Sequence, residues 1–219
     1  MTGIDDAHIF FAYAENIAKG LGITYSYNGV PVEGCTSLAW MFICAINFFL
    51  EFNELGVFIC SCVLMVFAQF CWISLLNKII ENKNRIIGTI LYCSLIVSCP
   101  GYITWMSITM MDVALWGMMI AWLSKTLYDV TTNRDMSLSV CFCFLIFPWV
   151  RLESFFVIPV FFTFLIIYKW RVDRTIILWT VTAFVSFVAL ELFRIFYFGY
   201  PLPNTFYAKV SPSLLSTSK

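Results

Sequence analysis

Between Leu55 and Leu76 the chain reads LGVFICSCVLMVFAQFCWISLL, a run without one charged side chain. A segment crossing lipid has to satisfy its backbone polar groups within its own helix, and spanning a hydrocarbon core of about 30 Å takes roughly 20 apolar residues. The run meets both conditions and sets the fold class: a membrane-embedded, all-α protein. Five more predominantly apolar runs follow it, some with a charge at or near an end: Ile86 to Thr104, Asp112 to Leu127, Met136 to Val150, Ser154 to Trp170 and Thr175 to Phe198. The sequence therefore predicts a polytopic transmembrane helical bundle of about six spans. Met136 to Val150 is the shortest and would cross only where the bilayer is thinned.

Composition agrees with this reading and excludes others. Hydrophobic residues make up 61% of the chain and charged ones 12%, far from the balance of a soluble domain. Thirteen basic and thirteen acidic side chains cancel, and no basic run is present to neutralise phosphates, so nucleic acid is not an expected partner. The nine cysteines lie mostly inside apolar runs, which argues against a disulfide framework. Cys60/Cys62 and Cys141/Cys143 are two residues apart, a spacing that points side chains to different sides of a helix and does not suit a metal.

Lysine and arginine mark cytoplasmic loops. Lys78, Lys83 and Arg85 fall in one connection, Lys125 and Arg134 in a second, and Lys169, Arg171 and Arg174 in a third. The opposite connections then lie outside, as do the segments before Leu55 and after Phe198. Thr36 to Phe52 is apolar as well. If it crossed, residues 1–35 would be parted from the remaining outer-face polar groups, so it is expected to lie along the outer interface, with a plain transmembrane helix as the alternative. The resulting division is 1–54 as an external loop with interfacial helices, 55–198 as the transmembrane bundle, and 199–219 as an external segment and tail. Met1 is followed almost at once by Asp5 and Asp6 with no basic and apolar leader, so no cleavable signal is expected.

The unusual charges gather at the outer face on this topology: Asp5, Asp6, His8, Glu33, Asp112, Arg151, Glu153, Arg194 and Lys209. Charges near a bilayer are costly, so each needs a role. Asp5 and Asp6 stand at the entrance of a helix-patterned stretch, where carboxylates cap, act as a general base or hold a divalent cation. His8 reads as a hydrogen-bond or interface residue. Asp112 fits the start of the following helix, where the dipole favours an anion. Arg151 and Glu153 either pair with one another or leave the arginine to grip a phosphate. Arg194 and Lys209 flank an aromatic, proline-rich stretch and serve either as interface anchors or as cations for a phosphate.

Three segments together resemble a known family: Asp5-Asp6-Ala7-His8-Ile9-Phe10-Phe11-Ala12-Tyr13-Ala14-Glu15-Asn16, the stretch from Asn28-Gly29 through Val32-Glu33-Gly34-Cys35-Thr36 to Trp40, and Pro201-Leu202-Pro203-Asn204-Thr205-Phe206-Tyr207-Ala208-Lys209. They look like polytopic glycosyltransferases of the GT-C fold, in the group that includes mycobacterial-type terminal arabinofuranosyltransferases and relatives once labelled as flagellar-motor control proteins. The resemblance implies transfer of a sugar from a polyprenyl-phosphate carrier to a cell-surface glycan, on the outer face of a bacterial cytoplasmic membrane. It implies Asp5 or Asp6 as the catalytic carboxylate, with Arg151, Arg194 and Lys209 at the donor phosphate. His8, Glu33, Asp112, Glu153, Asn204 and Tyr207 would contact substrate. A divalent cation bridging Asp5 or Asp6 and the phosphate is compatible with the family. The family pattern places one helix before the aspartate pair and more after Lys209, so this chain reads as the N-terminal half of such an enzyme, with a second chain expected to supply helices. The competing expectation is an inactive membrane scaffold or gene remnant. A transporter is less well supported, because the charges lie at one face rather than at the midplane and no repeat is present.

Overall fold

The structure is a computed structural model describing residues 5–27, 29–133, 138–169 and 174–204, and every regular element among them is helical. The helices are α1 (Asp5–Ala18), α2 (Leu38–Phe49), α3 (Asn53–Ile79), α4 (Arg85–Val97), α5 (Pro100–Ile103), α6 (Val113–Asn133), α7 (Leu138–Val150), α8 (Ser154–Lys169) and α9 (Arg174–Phe198). Asn82–Asn84 forms a short 3-10 turn before α4, and α5 runs on into a π turn at Thr104–Ile108.

α1 and α2 pack on one another, and α2 also packs on α3 and α7. In α1 the buried side chains Ala7, Phe10, Phe11 and Ala14 recur at helical spacing, leaving Asp6, His8 and Glu15 exposed on the other side. α2 begins at Ser37, whose hydroxyl accepts from the Trp40 amide at 3.2 Å, and it buries Leu38, Trp40, Met41, Cys44 and Ala45. Its 12 residues rise about 18 Å.

α3 is 27 residues long and would reach about 40 Å. Ile59, Val63, Val66 and Phe70 stand exposed along one of its faces, while the other packs on α6. Among the described residues, Asn53–Ile79 and Ile176–Phe198 are long and apolar enough to cross a membrane, and a bent pair at 82–97 and 100–108 would make a third crossing.

That bent pair departs from the straight span expected over Ile86 to Thr104. The axis turns by 77°. α4 ends with the Ser98 amide bonded to Ser94 and the Cys99 amide to Ile96, and Pro100 has no N–H with which to continue the helix. α6 departs in the opposite direction, running past Leu127 to Asn133. The charges that marked its end in the sequence are neutralised in place: Asp129 pairs with Lys78 of α3 and with Lys125, the latter at 3.2 Å. α7 and α8 are short, at 13 and 16 residues, and each contains a proline. α7 is tied to α9 where Trp149 Nε1 donates to Ser186 Oγ at 3.2 Å and Ser186 donates to the Leu145 carbonyl at 2.5 Å.

Candidate functional site

The start of α6, the turn between α7 and α8, the end of α9 and the long loop from Lys19 to Ser37 meet at one end of the bundle. The loop is fastened first to α1. Tyr13 Oη donates to the Val32 carbonyl at 2.6 Å and accepts from the Gly34 amide at 3.0 Å, while Asn16 Nδ2 donates to the Thr24 carbonyl at 2.8 Å. Burial pushes the Tyr13 phenol up to about 12, the Gly34 amide working against it and the nearby Glu33 carboxylate adding to it. Tyr13 is thus a fixed hydrogen-bonding post. The loop is then fastened to α9, where the Ile23 amide donates to Tyr197 Oη at 2.9 Å. Tyr197 Oη leaves no room for a side chain at Gly22, whose φ of +85° already favours glycine.

Two arginine–carboxylate pairs occupy the interior of this end. Arg194 Nε donates to Glu33 Oε2 at 3.0 Å and Arg194 Nη2 to Glu33 Oε1 at 3.0 Å, while Nη1 donates to Glu191 Oε1 at 3.1 Å. The Glu33 carbonyl also accepts from the Asn204 amide at 3.0 Å, so the first loop and the Pro201–Asn204 segment are held in register. Burial raises the Glu33 carboxyl above its ordinary value, and Glu191 adds to this, against the opposing pull of Arg194. In the second pair, Arg151 Nε donates to Asp112 Oδ2 at 2.7 Å and Nη2 to Oδ1 at 3.3 Å. Asp112 is fully buried, whereas the Arg151 side chain is 26% exposed. Burial alone would lower the Arg151 guanidinium, but Asp112 and Glu153 outweigh it and raise it. Arg151 is therefore a fixed positive charge with one side open.

Cys35 joins the two pairs. Its thiol is buried and sits within the fields of both Glu33 and Asp112; burial first, then Glu33, carry it up to about 12. Close by, Trp40 Nε1 donates at 3.0 Å to the carbonyl of Met110, a non-glycine residue at φ +53°. Backbone of that kind costs energy and persists only where its surroundings impose it.

The residues singled out in the sequence divide accordingly. Glu33, Arg194 and the Asn204 backbone form one cluster, and Asp112, Arg151 and Glu153 another. Arg151 favours Asp112 over Glu153, whose nearest oxygen is 3.7 Å away. Arg194 is buried against carboxylates rather than snorkelling at an interface. Asp5 and Asp6 open α1, Asp6 is exposed, and His8 is exposed with its ring edge-on to Phe11 at 5.6 Å. Tyr207 and Lys209 lie outside the described residues. No group of metal-ligating side chains is found among the described residues. Sequence reading missed Tyr13, Cys35, Glu191 and Tyr197. Of these only Glu191 carried a signal, standing three residues before Arg194 on one helix face.

Comparison with known proteins gives nothing to set beside this geometry: no family model, curated protein or solved structure matches the chain.

Proposed function

We propose that the chain is the membrane portion of a glycosyltransferase that moves a sugar from a polyprenyl-phosphate donor to a cell-surface glycan at the outer face of the cytoplasmic membrane. The observation that carries this reading is the gathering of Glu33, Asp112, Arg151, Glu153, Glu191 and Arg194 at one end of an apolar helical bundle. Charges brought together at one membrane face suit a substrate with a charged head and an apolar tail. In this reading α3, the α4–α5 elbow, α6, α7, α8 and α9 make six passages, the short ones crossing a thinned bilayer.

The chemistry assigns roles to these side chains. A glycan hydroxyl is a weak nucleophile, and the Asp5 or Asp6 carboxylate accepts its proton as the oxygen bonds to the anomeric carbon. The bond from that carbon to the donor phosphate breaks in the same displacement, the phosphate leaving with the electron pair, so the anomeric configuration inverts. Arg151, with its open side, stabilises the departing phosphate, and Lys209 adds a second cation. A divalent cation held by Asp5 or Asp6 would serve the same end. Arg194 acts differently from Arg151 here: it fixes the loop carrying Glu33 to the segment carrying Asn204.

The carboxylate partners already held by both arginines favour a second reading, a static membrane scaffold in which the pairs are struts. One experiment separates the two. Surface glycans are compared, by sugar composition and linkage, in cells lacking the gene and in the same cells restored with the native chain or with Asp5→Asn, Asp6→Asn. Loss of one terminal sugar that only the native chain restores is the expected result. Equal restoration by both, or no change on deletion, overturns the transferase reading.

A further inference from the structure

Residues 98–112 concentrate more irregular backbone than any other described part of the bundle: the 77° elbow at Pro100, the π turn at Thr104–Ile108 and the positive φ of Met110. π turns and strained residues cluster at sites of function. Three hydroxyls within the stretch bond back to carbonyls four residues earlier, Thr104 to Pro100, Ser107 to Ile103 and Thr109 to Trp105, a pattern that bends helices. The stretch ends at Asp112.

One side chain of α3 holds both sides of the elbow. Gln69 Nε2 donates to Tyr102 Oη at 2.8 Å on the far arm, and Gln69 Oε1 accepts from Tyr92 Oη at 2.6 Å on the near arm. Tyr102 packs on the buried cluster of Ala68, Cys71, Met106 and Ala121, an apolar setting in which a polar link between helices holds a defined arrangement. The near arm has a second tie to α3, from Thr89 Oγ1 to Asn77 Oδ1 at 3.2 Å. The far arm has polar ties at Tyr102, to Gln69, and at the Met110 carbonyl, to Trp40, and between them Met106 packs with Ala68 and Cys71 of α3 and Ala121 of α6.

We propose that Gln69 is the latch of a movable arm, residues 98–112, and that releasing Tyr102 from it draws Asp112 away from Arg151 and opens the guanidinium to an anionic ligand. The arm has two arrangements in this scheme. The latched one pairs Asp112 with Arg151. The released one relaxes the backbone at Met110 and leaves Arg151 facing outward, with Glu153 as its remaining partner. Only the identity of the anion, a donor phosphate, rests on the transferase reading; the motion itself does not.

The test follows the thiol of Cys35, which is buried with its Sγ 3.7 Å from Met41 Sδ on α2, the helix whose Trp40 holds the Met110 carbonyl, and which release of the arm is expected to uncover. In the full-length chain with its other eight cysteines replaced by alanine, the rate of Cys35 modification by N-ethylmaleimide is measured in native membranes. Gln69→Leu and Tyr102→Phe each speed labelling by about tenfold, the population change expected from losing one hydrogen bond of ordinary net strength. Tyr92→Phe and Thr89→Val, which break only near-arm bonds, change it by less than about twofold on the same ground. Tyr102→Phe removes a single oxygen, so it reports on the latch even where Gln69→Leu does not fold. Equal acceleration by all four variants, or by none, overturns the proposal. Because labelling registers the arm whether or not sugar is transferred, its failure is distinct from a failure of the glycan experiment.

Discussion

Arg194 grips both carboxylate oxygens of Glu33 across 161 residues of sequence, and its third nitrogen holds Glu191. Among the described residues the guanidinium thus has two acidic partners, and Glu33 has one cation. Removing either end of the pair should then have unequal effects. Arg194→Met leaves two carboxylates without their counter-charge and is expected to cost about 3–5 kcal/mol, as for other broken buried pairs. Glu33→Gln leaves Arg194 with Glu191 and is expected to cost about 1–2 kcal/mol. Thermal unfolding of the detergent-solubilised variants measures both, and equal losses would show that Glu191 does not support Arg194.

The same carboxylate gives a pH dependence with a definite sign. Burial raises the folded value of Glu33 above the ordinary 4.5, so between the two values the folded chain binds more protons than the unfolded one. Stability contributed by this group is greatest at low pH and falls as pH rises through the folded value. The difference in unfolding temperature between the native chain and Glu33→Gln, followed from pH 4 upward, should shift in favour of the variant. A difference independent of pH would remove Glu33 from the titration.

The turn after α2 offers a stabilising change. Glu51 takes φ +62° in a terminus where its amide bonds to the Phe48 carbonyl and the Phe52 amide to the Asn47 carbonyl, a position that glycine normally fills. Its side chain is exposed, so little packing is lost on removal. Glu51→Gly is expected to stabilise by about 1 kcal/mol, the strain of a side chain in left-handed backbone less the flexibility glycine adds to the unfolded chain. A rise in unfolding temperature checks it.

How far the sequence carried the fold follows from what lipid demands. By one composition rule, apolar runs between charges marked where α3, α4, α6, α7, α8 and α9 form, though among the described residues only α3, 176–198 of α9 and the bent pair are long and apolar enough to cross. The rule fails where charge is neutralised locally, as at Asp129, and where a single proline redirects a run, as at Pro100. The site was legible as a list of charges, Glu33, Asp112, Arg151, Glu153 and Arg194, since charges beside a bilayer are few. Their partners were not: Asp112 lies 39 residues from Arg151, and no local pattern encodes that choice. Gln69 gave no signal at all, one amide in an apolar run whose meaning depends on two tyrosines brought to it by the elbow.

The open side of Arg151 supplies the last prediction. Its Nε and Nη2 are committed to Asp112, while Nη1 has, among the described residues, only the 3.7 Å approach of Glu153. Lysine at this position keeps the charge but not the planar fork, and cannot hold Asp112 through two nitrogens while presenting a third to a phosphate. Arg151→Lys should therefore reduce glycan restoration by about 10²-fold, the scale seen when one stabilising donor is lost from a developing anion. Asp112→Asn retains the shape and leaves Arg151 freer. If the guanidinium serves the phosphate and Asp112 only holds it, Asp112→Asn should retain more activity than Arg151→Lys, whereas a purely structural pair predicts equal loss from both. Rates of sugar incorporation in cells restored with each variant, normalised to the amount of protein in the membrane, decide between them.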